Sequence, residues 1–566
     1  MHLPRLFRAI PPLPVLHPVV LTLAVSALLV LVYNGQLWSA VLAGWPGRSL
    51  HDILFLASLG LFLIAAFNLV LQPFAFPRVL KPVLAVVIVT AAVVSYFASS
   101  YGALMDRTMI ANVIETDSRE MADLFSARLV ADLVLFGLLP ALAILFLPVS
   151  LSTWRREAAI RGGVVLCSMA LVGVTAAFFF QDYASLLRNH REIRHMINPS
   201  AAIYSAARLA TEMPVVAGGE VRRVANDVSR SPLVTVGAGG RKKLIVLVVG
   251  ETARAADFSL NGYERDTNPE LSRFPVVSFA DVRSCGTSTA VSVPCMFYPF
   301  GQNGYSEREA RATENLTDIF VRAGIDVHWL ENNSGCKGVC ARVPTEIMSD
   351  DAALCDGGEC RDEIMLRSLR RILDTATGDT VVVMHQLGSH GPAYYKRYPA
   401  AFAAFQPVCE TNQLQSCSRE EIRNAYDNSI RYTDHVLAET ISLLDGAAER
   451  FDTAMLYVSD HGESLGEKGL YLHGLPYMIA PDAQTHVPMI FWSSRGYARE
   501  ASLDTACLAG ERDKAFSHDN LFHSMLGMLD IRTELYRADL DILAPCRPGV
   551  TLAHAASAVP ADTAHP

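Results

Sequence analysis

The chain has 566 residues, of which 51% are apolar and 19% are charged, and 57 acidic against 48 basic residues give a net charge of −9. An ordinary soluble domain carries about 25% charged residues, so part of this chain must lie where charge is unfavourable. The length suggests roughly three or four domain-sized units. No stripe of clustered lysine and arginine marks the acidic part, which argues against a nucleic-acid partner.

The charge and the cysteines divide the chain into two populations. Residues 1–200 carry a net charge of +4, whereas residues 201–566 carry −13. Only Cys167 lies in the first part, and the other ten cysteines follow it. The pattern predicts a membrane module joined to an acidic, cysteine-rich soluble module.

Five charge-free apolar stretches in the first part are about as long as a helix that crosses a bilayer. They lie within Ile10–Gly47, Ile53–Pro77, Pro82–Met105, Leu133–Trp154 and Gly162–Gln181. The first stretch has a long apolar run and no clear small-residue cleavage site, so we interpret it as an uncleaved helix and not as a signal peptide. The predicted transmembrane domain therefore covers residues 1–181.

Basic residues mark alternate loops between these stretches. They are Arg5, Arg8, Arg78, Lys81, Arg155, Arg156 and Arg161. The positive-inside rule places these loops and the N-terminus in the cytoplasm. Five crossings then put everything after Gln181 on the opposite side of the membrane.

The ten later cysteines fall into four close pairs and one distant pair. The pairs are Cys285/Cys295, Cys336/Cys340, Cys355/Cys360, Cys409/Cys417 and Cys507/Cys546. An even set in an exported domain is typical of disulfides. The alternative is a metal site in which the second and third pairs supply four thiolates. We interpret Cys167 as a small apolar residue of the fifth stretch.

Residues 182–240 join the two modules. Arginines alternate with apolar residues at the start of this region, which is typical of helices at a membrane surface. The glycine-rich stretch from Val215 to Gly240 indicates a linker. At the other end of the chain, the alanine-rich residues 549–566 are predicted to be a disordered tail.

The soluble module, residues 241–548, contains short apolar runs rich in β-branched residues. The runs are Leu244–Val249, Asp326–Leu330, Thr380–Gln386, Ala454–Ser459 and Pro488–Trp492. Segments long enough for helices separate them, which predicts an α/β/α sandwich around a mostly parallel sheet. Ligands of such sheets bind beyond the carboxyl ends of the strands.

Carboxylates and imidazoles stand at several of these strand ends. Glu251 follows the first run, and His385 and His390 lie at and beyond the end of the third. Asp460 and His461 follow the fourth directly. Such groups at one edge of a sheet can converge on a single divalent cation.

A hydroxyl-rich turn, Ser284–Cys295, lies between the first two runs. Closed by a Cys285–Cys295 disulfide, it would hold a hydroxyl at a helix N-terminus that favours an anion. A metal or a base could make that hydroxyl a nucleophile. The spacing alone does not choose among Thr287, Ser288 and Thr289, and ordinary N-capping is the alternative.

Several motifs together resemble the lipid A phosphoethanolamine transferases, which include the mobile colistin-resistance enzymes and belong to the alkaline phosphatase/sulfatase superfamily. The motifs are Val249-Gly-Glu-Thr-Ala-Arg254, Ser284–Cys295, Asn332-Asn333-Ser334, Gly388-Ser-His-Gly-Pro392, Asp460–Glu467 and Tyr471-Leu-His-Gly474. With the five apolar stretches, the resemblance covers essentially the whole chain apart from the tail.

The resemblance implies a role for each matching residue. Thr289 would be the nucleophile, and one tightly held zinc ion, with a second metal site possible, would have the ligands Glu251, Thr289, Asp460 and His461. His390 and His473 would lie at the donor phosphate or second metal. Asn333 and Lys337 would lie near the donor head group, and His385 matches a further family position.

The resemblance also reaches into the membrane module. Asn112, Thr116 and Glu120 lie four residues apart, so a single helix would place them on one face. They match a family set that lines the pocket of the lipid donor. A solvated helix face is the alternative.

The family implies an enzyme that transfers phosphoethanolamine from phosphatidylethanolamine to a lipid A phosphate through a phosphoethanolamine-threonine intermediate, which gives polymyxin resistance. We expect a monomer in the bacterial inner membrane with its catalytic domain in the periplasm. The alternatives are transfer to the lipopolysaccharide core or another glycan, a membrane-anchored sulfatase or phosphodiesterase, an enzyme that polymerises glycerol phosphate, and a non-enzymatic membrane scaffold that a zinc ion stabilises.

Overall fold

The computed structural model describes residues 15–44, 49–116, 118–190, 192–212, 221–230, 240–349, 351–356 and 359–547. The chain forms two compact units, residues 1–110 with 125–209 and residues 111–124 with 210–566. The short segment Ala111–Leu124 thus belongs to the second unit although both of its chain neighbours belong to the first. The predicted tail, residues 549–566, and parts of the predicted linker lie outside the described residues.

The first unit is helical. Its helices are Pro18–Val32, Gly35–Gly44, Leu50–Leu71, Pro77–Tyr101, Ala127–Asp132, Leu133–Leu138, Leu139–Phe146, Trp154–Phe178, Phe180–Asn189 and Ile193–Met196. Two further helices, Arg107–Glu115 and Ser200–Glu212, run across the boundary between the units. Four continuous helical stretches among the described residues are long and apolar enough to cross a membrane, and the pair Pro18–Val32 and Gly35–Ala43, bent by 55°, makes a fifth when it is counted as one span. These spans match the five predicted stretches.

Four spans begin earlier than predicted, and two of them take in basic residues that were predicted to lie in loops. Helix Trp154–Phe178 starts before Gly162, so Arg155, Arg156 and Arg161 lie in its first turns and not in a loop. Arg161 is paired with Glu157, four residues earlier, at 2.6 Å. Ion pairs with this spacing stabilise a helix, which allows the helix to continue through these charged residues. Helix Pro77–Tyr101 likewise contains the predicted loop residues Arg78 and Lys81.

A seven-stranded sheet forms the centre of the second unit. Its strands in chain order are β1 (Lys242–Gly250), β2 (Val277–Phe279), β3 (Asp326–Glu331), β4 (Thr345–Ile347), β5 (Thr380–His385), β6 (Phe451–Ser459) and β7 (Met489–Ser493). Their order across the sheet is β2-β7-β6-β1-β5-β3-β4. β7 runs antiparallel to both of its neighbours, β6 and β2, and the other neighbouring strands of the sheet are parallel.

Helices cover both faces of this sheet. Alternate residues of β1 point to opposite faces, so that Leu247 joins one hydrophobic core and Val248 joins the other. The longer helices of this unit are Thr289–Met296, Leu316–Arg322, Ile364–Thr375, Arg419–Gly446 and Asp519–Met528. The first, second and fifth of them contribute to the core of Leu247, and the other two to the core of Val248. The predicted α/β/α sandwich is therefore confirmed.

Short elements complete the second unit. The remaining helices of four or more residues are Ser118–Leu124, Gly301–Gly304, Glu307–Arg311, Asp482–Thr485, Arg495–Glu500 and Thr505–Gly510. The two-stranded pairings are Ser229–Arg230 with Ile531–Arg532, Asp281–Arg283 with Ala515–Ser517, Cys355–Asp356 with Glu359–Cys360, and Ser464–Leu465 with Tyr471–Leu472.

All five predicted cysteine pairs are disulfide-bonded. The alternative of a four-thiolate metal site is therefore wrong, because both pairs that would supply the thiolates are oxidised. Cys167 is unpaired and exposed.

Candidate active site and metal centre

The site begins where two neighbouring parallel strands end. β1 and β6 are in register, with Gly250 opposite Ser459, so Glu251 and Asp460 leave the sheet side by side. His461 follows Asp460, and all three side chains are almost completely buried. The Asp460 carboxylate accepts hydrogen bonds from the backbone N–H groups of Thr252 (3.2 Å) and His461 (2.7 Å), which fix its orientation.

Four side chains meet at this point. The Thr289 hydroxyl donates to Oε2 of Glu251 at 3.0 Å and lies 3.4 Å from Nε2 of His461. That imidazole nitrogen lies 3.3 Å from Oδ2 of Asp460 and 3.4 Å from Oε1 of Glu251. Two carboxylates, one imidazole and one hydroxyl thus share a single small volume.

The chemistry of these donors fits a divalent cation. Nδ1 of His461 donates to the Gly462 carbonyl at 2.9 Å, which leaves Nε2 as a lone-pair donor. Burial lowers the pKa of His461 to about 3, so the ring is neutral. Burial, and then the Glu251 charge, raise the pKa of Asp460 well above its ordinary value. A cation between these groups would remove that penalty.

Two oxygens of this cluster have no protein partner. Oε1 of Glu251 and Oδ2 of Asp460 are buried and accept no hydrogen bond among the described residues. Buried polar atoms are almost always paired, so two orphaned carboxylate oxygens facing an imidazole lone pair are what a metal site requires.

The hydroxyl-rich turn places Thr289 in this cluster. Helix Thr289–Met296 begins at Thr289, and the Cys285–Cys295 disulfide ties the turn to the end of that helix. Thr287 cannot occupy the same place, because its hydroxyl donates to the Leu475 carbonyl at 2.6 Å. The first turn of the helix favours a negatively charged group beside the Thr289 hydroxyl.

His390 and His473 lie beside the cluster. The ring centroids of His390 and His473 are 5.6 Å apart, and those of His473 and His461 are 4.3 Å apart. Glu463 is fully buried next to His473, with Oε1 at 3.4 Å from Nδ1. Burial works to lower the pKa of His473, but the Glu463 carboxylate raises it above the ordinary value on balance.

Asn333, Lys337 and His385 are held around the same strand ends. Asn333 donates its amide to Oε2 of Glu251 at 2.7 Å and to the Gln386 carbonyl at 2.8 Å, so it orients Glu251. Lys337 is in the left-handed region (φ 52°), and its ammonium group donates to the carbonyl and hydroxyl of Ser334. His385 is fully buried and pairs through Nδ1 with the Glu331 carboxylate at 2.9 Å.

A cavity of about 30 Å³ opens beside Thr289. Its lining residues are Asn112, Glu115, Thr116, Ser288, Thr289, Ala290, Ser334, Lys337, His390 and His473. The predicted residues Asn112 and Thr116 therefore reach the cavity from segment Ala111–Leu124.

The expectation of one continuous helix through Asn112, Thr116 and Glu120 is wrong. The helix ends at Glu115, and Glu120 lies in the separate helix Ser118–Leu124, so the three residues do not share a helix face. The Thr116 hydroxyl bonds to the Asn112 carbonyl at 2.8 Å, a local contact that competes with helix continuation. The side chain of Glu120 lies outside the described residues.

Residues near the site that we did not single out include Glu115, Glu331 and Glu463. Glu463 belongs to the motif that begins at Asp460, so its position shortly after a strand end could have marked it as a site residue. Glu115 and Glu331 had no such signal, because only the fold brings them to the cavity and to His385.

Comparisons with known proteins agree with this architecture. The family described as phosphoethanolamine transferase EptA/EptB matches residues 63–213, and the sulfatase family matches residues 243–531. Phosphoethanolamine transferase EptA of Salmonella typhimurium is 42% identical over 94% of this chain and 98% of its own length. Phosphatidylethanolamine transferase Mcr-1 of Escherichia coli is 39% identical over 81% of this chain and 84% of its own length.

A solved structure covers nearly the whole chain. The integral membrane lipooligosaccharide phosphoethanolamine transferase A of Neisseria meningitidis superimposes with a TM-score of 0.89 at 37% identity, and the match covers 95% of this chain and 100% of that one. The periplasmic domain of EptC from Campylobacter jejuni matches 57% of this chain with a TM-score of 0.51 at 42% identity. Both units of this chain therefore have counterparts in one solved membrane protein.

Proposed function

Because the chain belongs to the phosphoethanolamine transferase family, we propose that it transfers phosphoethanolamine from phosphatidylethanolamine to a phosphate of lipid A through a covalent intermediate on Thr289. The observation that carries this proposal is the Thr289 hydroxyl, 3.0 Å from Glu251 and 3.4 Å from His461 at the start of a helix. The donor is inferred from the name of Mcr-1, and the acceptor class from that of the Neisseria relative.

We assign the metal of this site as zinc, held by Glu251, Thr289, Asp460 and His461. Mixed oxygen and nitrogen ligands in a four-membered set suit this ion. When bound, it would lower the pKa of the Thr289 hydroxyl and offset charge that develops on the phosphoryl oxygens. Asn333 keeps the Glu251 carboxylate in place for this role.

In the first step, the Thr289 hydroxyl releases its proton to solvent, and its oxygen attacks the donor phosphorus in line with the diacylglycerol oxygen. The bond to that oxygen breaks, and phosphoethanolamine remains on Thr289. His390 or His473 gives the leaving oxygen its proton, because both rings line the cavity beside Thr289. In the second step, a lipid A phosphate oxygen attacks the phosphorus, the bond between the phosphorus and the Thr289 oxygen breaks, and that oxygen takes a proton from solvent.

The proposed location follows from this chemistry. Phosphatidylethanolamine and lipid A are both membrane lipids, so we place the apolar helices in the bacterial inner membrane and the catalytic domain in the periplasm. Adding a zwitterionic group to a lipid A phosphate lowers the negative charge of the cell surface, and cationic peptides such as polymyxins then bind less strongly.

Two measurements test the proposal. The purified protein incubated with phosphatidylethanolamine should gain one phosphoethanolamine on Thr289 by intact-mass and peptide analysis, and absence of that adduct contradicts the mechanism. Lipid A from cells that express the gene should carry added phosphoethanolamine. A modified lipopolysaccharide core with unchanged lipid A would show that the core is the acceptor, and the proposed first step would still stand. Release of diacylglycerol without any modified acceptor would instead favour a hydrolase.

A further inference from the structure

A buried arginine lies next to the proposed site without reaching the metal ligands. The side chain of Arg397 is only 2% exposed, and it makes three separate charge-assisted contacts. Its Nε donates to the His390 carbonyl, one terminal nitrogen to Glu359 and the other to Asp123, each at 2.8 Å. The planar guanidinium presents its donors in a fixed fork, so these three acceptors are held in fixed relative positions.

The first of these acceptors belongs to the loop that carries a proposed active-site imidazole. His390 follows β5 in the loop of residues 386–391, and its ring lies beside His473 in the cavity of Thr289. The same loop packs tightly on Glu251: Gly388 is in the left-handed region (φ 53°), where a Cβ atom would lie 2.7 Å from the Glu251 carbonyl oxygen. A bond to the His390 carbonyl therefore limits where its ring can lie.

The second acceptor belongs to a different wall of the same cavity. Asp123 lies in helix Ser118–Leu124, at the end of the segment Ala111–Leu124 whose residues Asn112 and Thr116 line the cavity. The Asp123 carboxylate also accepts from Lys396 at 2.5 Å, and its backbone carbonyl accepts from Asn412. At the other end of the segment, Glu115 pairs with Arg311 at 2.7 Å. The segment is thus held at both ends.

Building on the proposed function, we infer that Arg397 is a positioning residue, which places His390 and, through Asp123, joins the His390 loop to segment Ala111–Leu124. One guanidinium connects the two walls of the cavity, so loss of its bond to Asp123 loosens the His390 imidazole. The geometry of the site therefore depends on how this segment is docked on the rest of its own unit.

An activity test separates positioning from general stability. Because small misplacements of a reacting group can cost about 100-fold in rate, Arg397→Gln should lower the kcat for diacylglycerol release about 10- to 100-fold. In a His390→Ala background, the same change should cost less than about twofold, because its effect passes through His390. An equal loss in both backgrounds overturns the inference.

A second variant of Arg397 and a matched control complete that test. Arg397→Lys keeps a positive charge between the carboxylates, but one ammonium group cannot reproduce the three-way fork, so it should show the same dependence on His390 with an unchanged melting temperature. If the glutamine variant does not fold, the lysine variant carries the test alone. The matched control is Arg371→Gln, which removes a mostly exposed arginine paired with Glu346 and should leave diacylglycerol release unchanged.

Hydrogen–deuterium exchange tests the link without any lipid substrate. In the full-length protein in detergent, Asp123→Asn should increase exchange in residues 386–391 as well as in residues 111–124. Arg311→Gln, which loosens the other end of the segment, should increase exchange in residues 111–116 and leave residues 386–391 unchanged. Confinement of the Asp123→Asn effect to the segment overturns the inference. A wild-type protein that releases no diacylglycerol contradicts the proposed function, and the exchange result still decides the link.

Discussion

Buried charges lie at both ends of β1, but only those at one end are paired with charges of opposite sign. At the amino-terminal end, the ammonium group of Lys243, only 3% exposed, pairs with Asp530 and with Glu500 at 3.0 Å. Arg547, 2% exposed, donates to the other oxygen of Asp530 at 2.8 Å. At the carboxyl end, Glu251 and Asp460 lie side by side, and each keeps one oxygen without a hydrogen-bond partner among the described residues.

The two aspartates show what this difference means. Burial works to raise the pKa of Asp530, but Lys243 and then Arg547 hold it below its ordinary value. No lysine or arginine among the described residues pairs with Asp460, and burial, followed by the Glu251 charge, raises its pKa. Protein side chains complete the first cluster, whereas the second needs a positive charge from outside the chain. Unpaired buried charge, and not buried charge as such, marks the site.

The largest effect should come from removing the proposed nucleophile. Thr289→Ala should lower diacylglycerol release by about 10⁴-fold or more, since losing a nucleophile removes the covalent path altogether. The phosphoethanolamine adduct should disappear from the intact mass. Circular dichroism and the melting temperature should stay close to those of the wild type, and an adduct that survives in this variant would show that another residue carries it.

The next effect concerns the incomplete cluster. Asp460→Asn should weaken zinc binding about 100- to 1,000-fold, because four ligands share a binding free energy of about 10–16 kcal/mol. Zinc content after purification and diacylglycerol release should both fall.

The same variant tests the unpaired charge directly. With the metal removed from both proteins, Asp460→Asn should melt at a higher temperature than the wild type, because it lacks the repulsion between two buried carboxylates. A lower melting temperature of the metal-free variant would contradict the idea that this charge is uncompensated without a cation.

Removing charge from the cluster of Lys243, Arg547 and Asp530 should destabilise the protein instead. Asp530→Asn leaves Lys243 and Arg547 without their shared counter-charge and should destabilise the soluble unit by about 3–5 kcal/mol. The zinc content and the kcat of the folded protein should not change. Chemical denaturation and metal analysis of the full-length protein measure these quantities.

The pH dependence of that loss has a definite sign. The folded-state pKa of Asp530 is lowered, so its stabilisation is present above the unfolded value of about 3.9 and is lost as the pH falls through the folded value. The difference between the wild type and Asp530→Asn should therefore shrink only below about pH 4. A difference that already vanishes near neutral pH would show that the charge of Asp530 does not matter.

The smallest effect should come from an ion pair exposed to solvent. Arg371→Gln removes a side chain that is 61% exposed and paired with Glu346. We expect a change in the free energy of unfolding within about 0.5 kcal/mol, because such pairs contribute little. A loss as large as that of Asp530→Asn would erase the distinction between buried and exposed charge.

Much of the architecture was predictable because it depends on local patterns. Continuous apolar runs predicted five strands of the central sheet, and cysteine proximity predicted the four close disulfides. The start of helix Trp154–Phe178 was misjudged because its charged first turns carry no apolar signal. The break between Glu115 and Ser118 was missed for a related reason, since a spacing of four residues fits a helix whether or not the helix continues.

Residue chemistry and chain order by themselves determined which groups stand at the carboxyl ends of parallel strands, and hence that Glu251, Asp460 and His461 converge. The tertiary structure decided which hydroxyl joins them. The Thr287 hydroxyl donates to the Leu475 carbonyl, whereas the Thr289 hydroxyl donates to Glu251. It also decided which buried oxygens lack partners and that Arg397 links His390 to Asp123. Strand ends follow from periodicity along the chain, but pairing and its absence depend on distances between residues far apart in sequence.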